Sequence, residues 1–392
     1  MTFSFFYGDI GGYGCGSSYQ SLFDGSSIRH YTLSMSALNP SSARFSPKPP
    51  WLKVRAPSGQ PIEQLKETLR ALDLHTVCEE ACCPNMGECW GEGTATIMVL
   101  GDVCTRNCRF CAVHTGNPGG VVDVREPEHV ARALAQLGLQ YVVITMVDRD
   151  DILDGGASHL AQTIRLLKQL RPDMLVEALV GDFGGHEDYV RVVTDSLPDV
   201  FAHNIEVVRR LQRTIRDVRC GYERSLDILR WVKQHQPTML TKSSIMVGIG
   251  ETDEEVVETM QDLRHAGVDL VTIGQYLRPT PKHALVTRFV EPAIFEQYTT
   301  AGLDMGFSYV ASGPLVRSSY KAAEVFVRSQ LRGDNPEGAD KVVKNRLHQA
   351  QIIDSEWSLK RGAAQNLPNR CIPAGEGRQA SLISKEQLLH KL

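Results

Sequence analysis

Apolar residues follow two alternating patterns along residues 96–274. Short continuous runs rich in β-branched residues recur six times, and such runs are typical of strands that are buried on both faces of a sheet. The runs are 96–100, 141–145, 174–180, 200–204, 243–248 and 269–274. Between them, apolar residues at helical spacing predict amphipathic helices. The clearest helical patterns are 126–138, 158–170, 225–235 and 254–267.

Six strand–helix units in series predict parallel strands that are joined by right-handed crossovers. The expected fold class is therefore α/β, a partial (β/α)6 TIM-type barrel with an N-terminal cysteine-rich extension and a C-terminal helical tail. The barrel is expected over residues 96–328, after an N-terminal helix and cysteine-rich segment at 49–95. Residues 1–48 read as a disordered or loosely ordered arm, and 329–392 as the tail. Loops at the carboxyl ends of the strands are expected to carry the chemistry.

The composition is that of an ordinary soluble globular protein, with 392 residues, 42% of them hydrophobic, and a net charge of −4. This charge favours neither nucleic acid nor an anionic membrane as a partner. No run of about 18 apolar residues is present to span a membrane. The N-terminus lacks the features of a secretory signal, so the expected location is the cytoplasm. The alternative is a mitochondrion or plastid if residues 1–45 are a transit peptide; Met35 is an alternative start.

Seven of the ten cysteines lie within residues 78–111. Clusters of this kind in a long intracellular chain indicate metal binding or catalysis rather than a disulfide framework. Cys104, Cys108 and Cys111 have the spacing C-x3-C-x2-C, with Phe110 before the last cysteine. Three thiolates leave one iron of a 4Fe–4S cluster free for a reactant. The alternative is a zinc site with a distant fourth ligand such as His114, in a non-enzymatic metal-binding or redox-sensing protein.

The C-x3-C-x2-C motif after the first strand of an α/β barrel resembles that of the radical S-adenosylmethionine superfamily. The resemblance implies that the open iron binds the methionine moiety of S-adenosylmethionine, whose reductive cleavage gives a radical that abstracts hydrogen. Cys78, Cys83 and Cys89, with the spacing C-x4-C-x5-C, resemble lipoyl synthases in particular. In that family the three thiolates hold a second, auxiliary 4Fe–4S cluster. Spacing alone leaves Cys82 as an alternative to Cys83, but the family's Pro-Asn after the middle cysteine selects Cys83.

The motif RSSY at residues 317–320 matches the family's source of the fourth auxiliary ligand. The resemblance gives this role to Ser319, with Ser318 as the second choice. Local sequence alone would favour a helix N-cap here, because serine is a leading capping residue. Cys15, Cys220 and Cys371 match no ligand motif.

The resemblance covers about residues 49–328 and implies a sulfurtransferase. Its reaction inserts two sulfur atoms at carbons 6 and 8 of an octanoyl group, using S-adenosylmethionine and sulfide from the auxiliary cluster, which is broken down. The octanoyl group is carried on a lysine of a lipoyl carrier protein, such as a lipoyl domain of a 2-oxoacid dehydrogenase or the glycine cleavage H protein. An electron donor such as ferredoxin or flavodoxin is implied as well. The same radical chemistry on another substrate is a further alternative.

Six residues are expected by resemblance to contact S-adenosylmethionine. They are Thr145, Asp154, Gly155, Gly156, Asn204 and Glu206. The run from Asp154 to Gly156 is equally consistent with a plain turn. The sequence departs from the family pattern at Met146, at Val207 and in the stretch LVGDFGG, residues 179–185. Lys242 and Arg278 are expected at strand ends, either solvated or binding carboxylates.

Overall fold

The computed structural model describes residues 48–52, 75–76, 94–137 and 139–318. An eight-stranded sheet forms the centre of this part of the chain. Its strands are β1 (His75–Thr76), β2 (Thr94–Val99), β5 (Tyr141–Met146), β6 (Leu175–Leu179), β7 (Val200–Ala202), β8 (Leu240–Val247), β9 (Leu270–Gln275) and β10 (Tyr309–Gly313). The order in space follows the order in sequence, so β1 and β10 are the two edges. The short strands β3 (Val103–Cys104) and β4 (His114–Thr115) pair separately.

The α-helices of the described residues lie between the strands, as the alternating pattern predicts. They are α1 (Glu126–Gln136), α2 (Ala157–Leu170), α3 (Glu187–Thr194), α4 (Gln212–Ile215), α5 (Tyr222–His235), α6 (Asp253–His265) and α7 (Pro292–Asp304). Three single 3-10 turns occupy Pro50–Leu52, Phe183–Gly185 and Arg209–Leu211. Among the described residues, no helix combines the length and the apolar character that a membrane span requires.

The sheet has the parallel register that defines the predicted fold. All pairs from β2 through β10 in the main sheet are parallel, and only the pair between β1 and β2 is antiparallel. The six predicted strands and the α/β class of partial barrel are confirmed. After them, α7 and β10 add a seventh parallel strand beside β9. The helix predicted at residues 60–73, the segment with Cys78, Cys83 and Cys89, the arm, Ser319 and the tail lie outside the described residues.

A buried ion pair occupies the interior of the sheet. The ammonium of Lys242 in β8 lies 2.8 and 2.7 Å from the two carboxylate oxygens of Glu177 in β6. The hydroxyl of Tyr141 in β5 donates to the same carboxylate at 2.6 Å. Both charged side chains are at most 2% exposed. Lys242 is therefore buried in an ion pair: the alternative that it is solvated is wrong, and the carboxylate that it binds is that of Glu177 within the fold.

Candidate functional site

A cavity of about 230 Å³ opens where β2, β5, β6 and β7 end. The loop that carries C-x3-C-x2-C covers one side of it. Six of the residues singled out in the sequence line this cavity: Cys104, Cys108, Cys111, Thr145, Asn204 and Glu206. The carboxyl ends of neighbouring parallel strands meet at one rim, which explains why residues so distant in sequence come together.

Backbone hydrogen bonds hold the cysteine loop against two neighbouring segments. The amide of Thr105 donates to the carbonyl of Asp148 at 2.9 Å, and the amide of Arg109 donates to the carbonyl of Ile215 at 2.8 Å. The imidazole Nε2 of His283 donates to the carbonyl of Cys111 at 2.9 Å. The loop is thus fixed at both ends and does not depend on its own short strands alone.

The three thiols provide a donor set that fits an iron–sulfur cluster. The amide of Arg106 donates to Cys104 Sγ at 3.4 Å, and the amide of Asp217 donates to Cys108 Sγ at 3.3 Å. Such N–H donors to cysteine sulfur are among the features by which proteins tune Fe–S clusters. Burial and the charge of Asp148 raise the pKa of Cys104 to about 11, and burial also raises the pKa of Cys111. Binding of a cluster must therefore displace a proton from each of these thiols.

The structure around the three cysteines gives less support to the alternative of a zinc site completed by His114. His114 lies in β4 with an exposed side chain. Within the described ranges, no group of three His, Cys, Asp or Glu side chains converges as a site for a metal ion. Three thiols spread around one cavity match a cluster, in which each iron takes its own thiolate, better than they match one tetrahedral ion.

Asn204 and Glu206 are polar residues of the cavity lining that follow β7. Asn204 Nδ2 donates to Glu206 Oε1 at 3.0 Å. Glu206 has a φ of 68°, in the left-handed region that is unfavourable for a side chain of this size. Hydrogen bonds of its amide to Ser244 (3.0 Å) and of its carbonyl from Met246 (2.8 Å) hold it in this conformation. Burial raises the pKa of the Glu206 carboxyl.

Arg216 is a cavity residue that sequence reasoning missed. Its side chain is 8% exposed, and its Nη1 donates to Ser225 Oγ at 2.9 Å. Its Nε has no hydrogen-bond partner among the described residues. A buried guanidinium N–H without an acceptor is costly, and therefore marks a position where a ligand acceptor fits. Because the partners of Arg216 come from different segments, no local motif signals this role.

Two of the family departures also bear on the cavity. Met146 and Gly181 line it, whereas Val207 is buried in the core. A Cβ at Gly181 would lie 2.2 Å from Asp148 Oδ1, so glycine leaves room for this carboxylate at the cavity wall. Burial raises the pKa of Asp148 to about 6 against the opposing effect of Arg106. Glycine at position 181, in the loop after β6, thus leaves space for the Asp148 carboxylate from the loop after β5.

Asp154, Gly155 and Gly156 lie at the start of α2 and not in the cavity lining given by the described residues. The Asp154 carboxylate accepts from the amides of Gly156 at 3.0 Å and Ser158 at 2.9 Å. Gly156 has a φ of 92°, and a Cβ there would lie 2.2 Å from Leu100 Cδ1. These contacts favour the plain-turn alternative for this run.

Replacing Asp154 by alanine tests that alternative. Loss of the two hydrogen bonds at the helix start should lower the free energy of unfolding by about 1 kcal/mol. The dissociation constant for S-adenosylmethionine should stay within about twofold, a difference of less than 0.5 kcal/mol. Denaturant unfolding and ligand titration measure the two quantities. A large loss of affinity without loss of stability would restore the cofactor role.

His203 supplies a pH-dependent contribution to stability. Its Nδ1 donates to the carbonyl of Val180, and its Nε2 bonds Ser225 Oγ, both at 2.9 Å. Burial, with the charge of Arg216, lowers the pKa of His203 to about 4. The unfolded chain therefore binds more protons than the folded chain between pH 6.5 and 4, and stability falls as the pH falls through this window.

His203→Gln should remove this dependence. From pH 6.5 downward, the free energy of unfolding of the wild type should fall about 1.4 kcal/mol per pH unit more steeply than that of the variant. Unfolding curves recorded at pH 7, 6 and 5 under anaerobic conditions provide the comparison. Parallel stability profiles for the two proteins would show that the pKa of His203 is not lowered in the folded state.

Comparisons with known proteins agree with this geometry. A sequence model of the radical SAM superfamily matches residues 98–263, and a model of the N-terminal domain of lipoyl synthase matches residues 26–83. The fold and the cysteine site therefore define a radical S-adenosylmethionine enzyme. The second match begins inside residues 1–48, which are expected from the sequence to form a disordered or loosely ordered arm.

Curated relatives narrow the class to one family. A lipoyl synthase from Sorangium cellulosum is 67% identical in an alignment of 303 positions that covers 74% of this chain and 82% of the relative. One from Thermus thermophilus is 55% identical and covers 73% of this chain and 88% of the relative. A mitochondrial lipoyl synthase from Picea sitchensis is 53% identical, with coverages of 74% and 76%. The chain belongs to the lipoyl synthase family. It is an enzyme that inserts sulfur and uses S-adenosylmethionine with 4Fe–4S clusters.

Proposed function

We propose that Cys104, Cys108 and Cys111 hold the 4Fe–4S cluster that binds S-adenosylmethionine. The observation that carries this proposal is the presence of all three thiols on one cavity, whose lining also includes Arg216 with an unpaired buried guanidinium N–H. Cys78, Cys83, Cys89 and Ser319 are the proposed ligands of the auxiliary cluster. They lie outside the described residues, and their assignment depends on the motifs of the family.

The activity is the insertion of two sulfur atoms at carbons 6 and 8 of an octanoyl group on a carrier-protein lysine. When bound, the reduced cluster and S-adenosylmethionine supply hydrogen-atom abstraction from carbons that no side chain can deprotonate. The residues of the chain position the reactants and exclude water. Apolar side chains of Met98, Phe110 and Val113 line the cavity beside the thiols and serve the second purpose.

The polar residues of the cavity are proposed to bind the cofactor. Arg216 Nε is a buried donor without a partner, which suits the carboxylate of the methionine moiety. Asn204 and Glu206 offer an amide and a carboxylate to the hydroxyl and amino groups of the cofactor. Thr145, at the end of β5, offers a hydroxyl from the neighbouring strand. Each group thus has a chemically matched partner on S-adenosylmethionine.

The macromolecular partners are lipoyl carrier proteins. We propose octanoylated lipoyl domains of 2-oxoacid dehydrogenases or the glycine cleavage H protein as the specific carriers, and ferredoxin or flavodoxin as the electron donor. The proposed location is the cytoplasm. A mitochondrion or plastid is the alternative, and the mitochondrial relative from Picea sitchensis supports it.

Anaerobic reconstitution followed by turnover on an octanoyl-lysine peptide tests the proposal. The loaded protein should contain about eight irons per chain, as two 4Fe–4S clusters require. With S-adenosylmethionine and a reductant, mass spectrometry should show a peptide that has gained two sulfurs, and two hydrogens should be lost only when the new thiols are oxidised to a disulfide. Cys220→Ala serves as the control, because Cys220 lines the same cavity outside the motif. A protein with eight irons that leaves the peptide unchanged would contradict the proposed activity.

A further inference from the structure

We propose that Arg106, within the motif CTRNCRFC, is a positioning residue that sets where the cluster ligands sit relative to the cofactor pocket. Its guanidinium joins the cysteine loop to the ends of two barrel strands. The inference rests on the proposed assignment of Cys104, Cys108 and Cys111 as cluster ligands. It concerns a residue between two of those ligands that has no ligand atom of its own.

The Arg106 side chain is buried and makes charge-assisted bonds to two loops. It is 3% exposed. Nε and Nη2 lie 3.1 and 2.8 Å from the two oxygens of the Asp150 carboxylate, a bidentate pair. Nη2 also lies 2.5 Å from Asp182 Oδ1, and Nη1 lies 3.6 Å from the carboxylate of Asp148. Since Asp148 and Asp150 follow β5 and Asp182 follows β6, one guanidinium joins the cysteine loop to two neighbouring loops of the rim.

The backbone amide of the same residue bonds one of the proposed cluster ligands, and its side chain lies near Cys220. The amide of Arg106 donates to Cys104 Sγ at 3.4 Å, and Nη1 lies 3.5 Å from Cys220 Sγ. The same residue therefore bonds the carboxylates after β5 and β6 through its side chain and a ligand sulfur through its amide. This connection separates Arg106 from an ion pair that supports only the general fold.

Charge balance depends on the same side chain. Burial alone would raise the pKa of Asp182, but the hydrogen bond and charge of Arg106 outweigh it and lower the pKa to about 2. Hydrogen bonds from Arg106 and Thr105 likewise lower the pKa of Asp150. Without the guanidinium, carboxylates would face one another in a poorly solvated site and would repel. The loops after β5 and β6 would then separate, and the cysteine loop would lose its fixed position.

Arg106→Gln and Arg106→Lys in the full-length, reconstituted enzyme test the inference. The measurements are the dissociation constant for S-adenosylmethionine and the change that this ligand causes in the electron paramagnetic resonance spectrum of the reduced protein. Arg106→Gln should weaken binding about tenfold or more and reduce the spectral change. Arg106→Lys should be intermediate, because an ammonium keeps the charge but cannot form the planar bidentate pair.

Arg224→Gln is the matched control. Arg224 also contacts Asp182, at 3.3 Å, but its side chain is 36% exposed. An exposed ion pair contributes little, so this variant should bind S-adenosylmethionine within about twofold of the wild type. A wild-type affinity and a wild-type spectral response in either Arg106 variant would overturn the inference. Arg106→Lys keeps the test decisive if Arg106→Gln does not fold.

Iron analysis separates failure of this inference from failure of the ligand assignment. A variant with alanine at Cys104, Cys108 and Cys111 should hold about four irons, the content of the auxiliary cluster alone. If that variant still holds about eight, the ligand assignment is wrong, and the inference that rests on it is wrong as well. If it holds about four while Arg106→Gln responds to S-adenosylmethionine as the wild type does, only the positioning role is wrong.

Discussion

Cys108→Ala should abolish sulfur insertion and halve the iron content. A three-thiolate site that loses one thiolate leaves two irons of the cubane without protein ligands, so the cluster is expected to be lost. Iron should fall from about eight to about four per chain. Without the cluster, cleavage of S-adenosylmethionine should be undetectable, a loss of more than about 10³-fold and thus over 4 kcal/mol of transition-state stabilisation. Iron analysis and detection of 5′-deoxyadenosine measure the two effects.

Cys220→Ala is the control for this result. Cys220 lines the same cavity, and its thiol bonds that of Cys108. It should keep both clusters and most of the activity, because it lies outside the C-x3-C-x2-C spacing. If Cys220→Ala lost iron as Cys108→Ala does, the motif would not define the ligand set. If Cys108→Ala kept eight irons, its assignment as a ligand would be wrong.

Lys242→Met should destabilise the enzyme more than any surface charge substitution. It leaves the Glu177 carboxylate inside the sheet without its cation, and breaking a buried ion pair in this way costs about 3–5 kcal/mol. The hydroxyl of Tyr141 continues to donate to Glu177 and compensates only in part. Denaturant unfolding under anaerobic conditions measures the loss.

Two comparisons identify the cause of that loss. Arg132→Gln removes one member of an exposed pair in α1 with Glu128, whose side chains are 69% and 57% exposed, and should cost less than about 1 kcal/mol. The double variant Lys242→Met, Glu177→Leu should regain part of the stability, because no unpaired charge then remains. A double variant as unstable as Lys242→Met would point to packing, not charge.

Most of the barrel was predictable because its strands are apolar on both faces. Apolar runs fail to predict the bounds of a strand where the strand contains polar residues. β8 begins at Leu240, three residues before the predicted run, because Thr241 and Lys242 find their partners inside the fold. β10 was not predicted as a strand, since its sequence YVASG has one large apolar residue flanked by small ones and by a tyrosine.

Some residues of the candidate site could be predicted from the sequence, and others could not. The sequence identifies Cys104, Cys108 and Cys111 because all three lie in one short segment with a characteristic ligand spacing. Arg216 and Arg106 do not stand out, since their partners lie on other segments and their burial exists only in the folded chain. The sequence of Asp154, Gly155 and Gly156 predicts a cofactor contact and a plain turn equally, because glycine serves close backbone approach and turns equally well.

The two edge strands of the sheet have a further consequence for turnover. β1 ends at Thr76, two residues before Cys78, and β10 ends at Gly313, six residues before Ser319. A cluster ligated by both residues would cross-link the first strand of the sheet to the last. Each catalytic cycle that dismantles this cluster would then also remove a covalent connection between the edges. Repair of the cluster would restore this cross-link between the two edge strands together with the supply of sulfur.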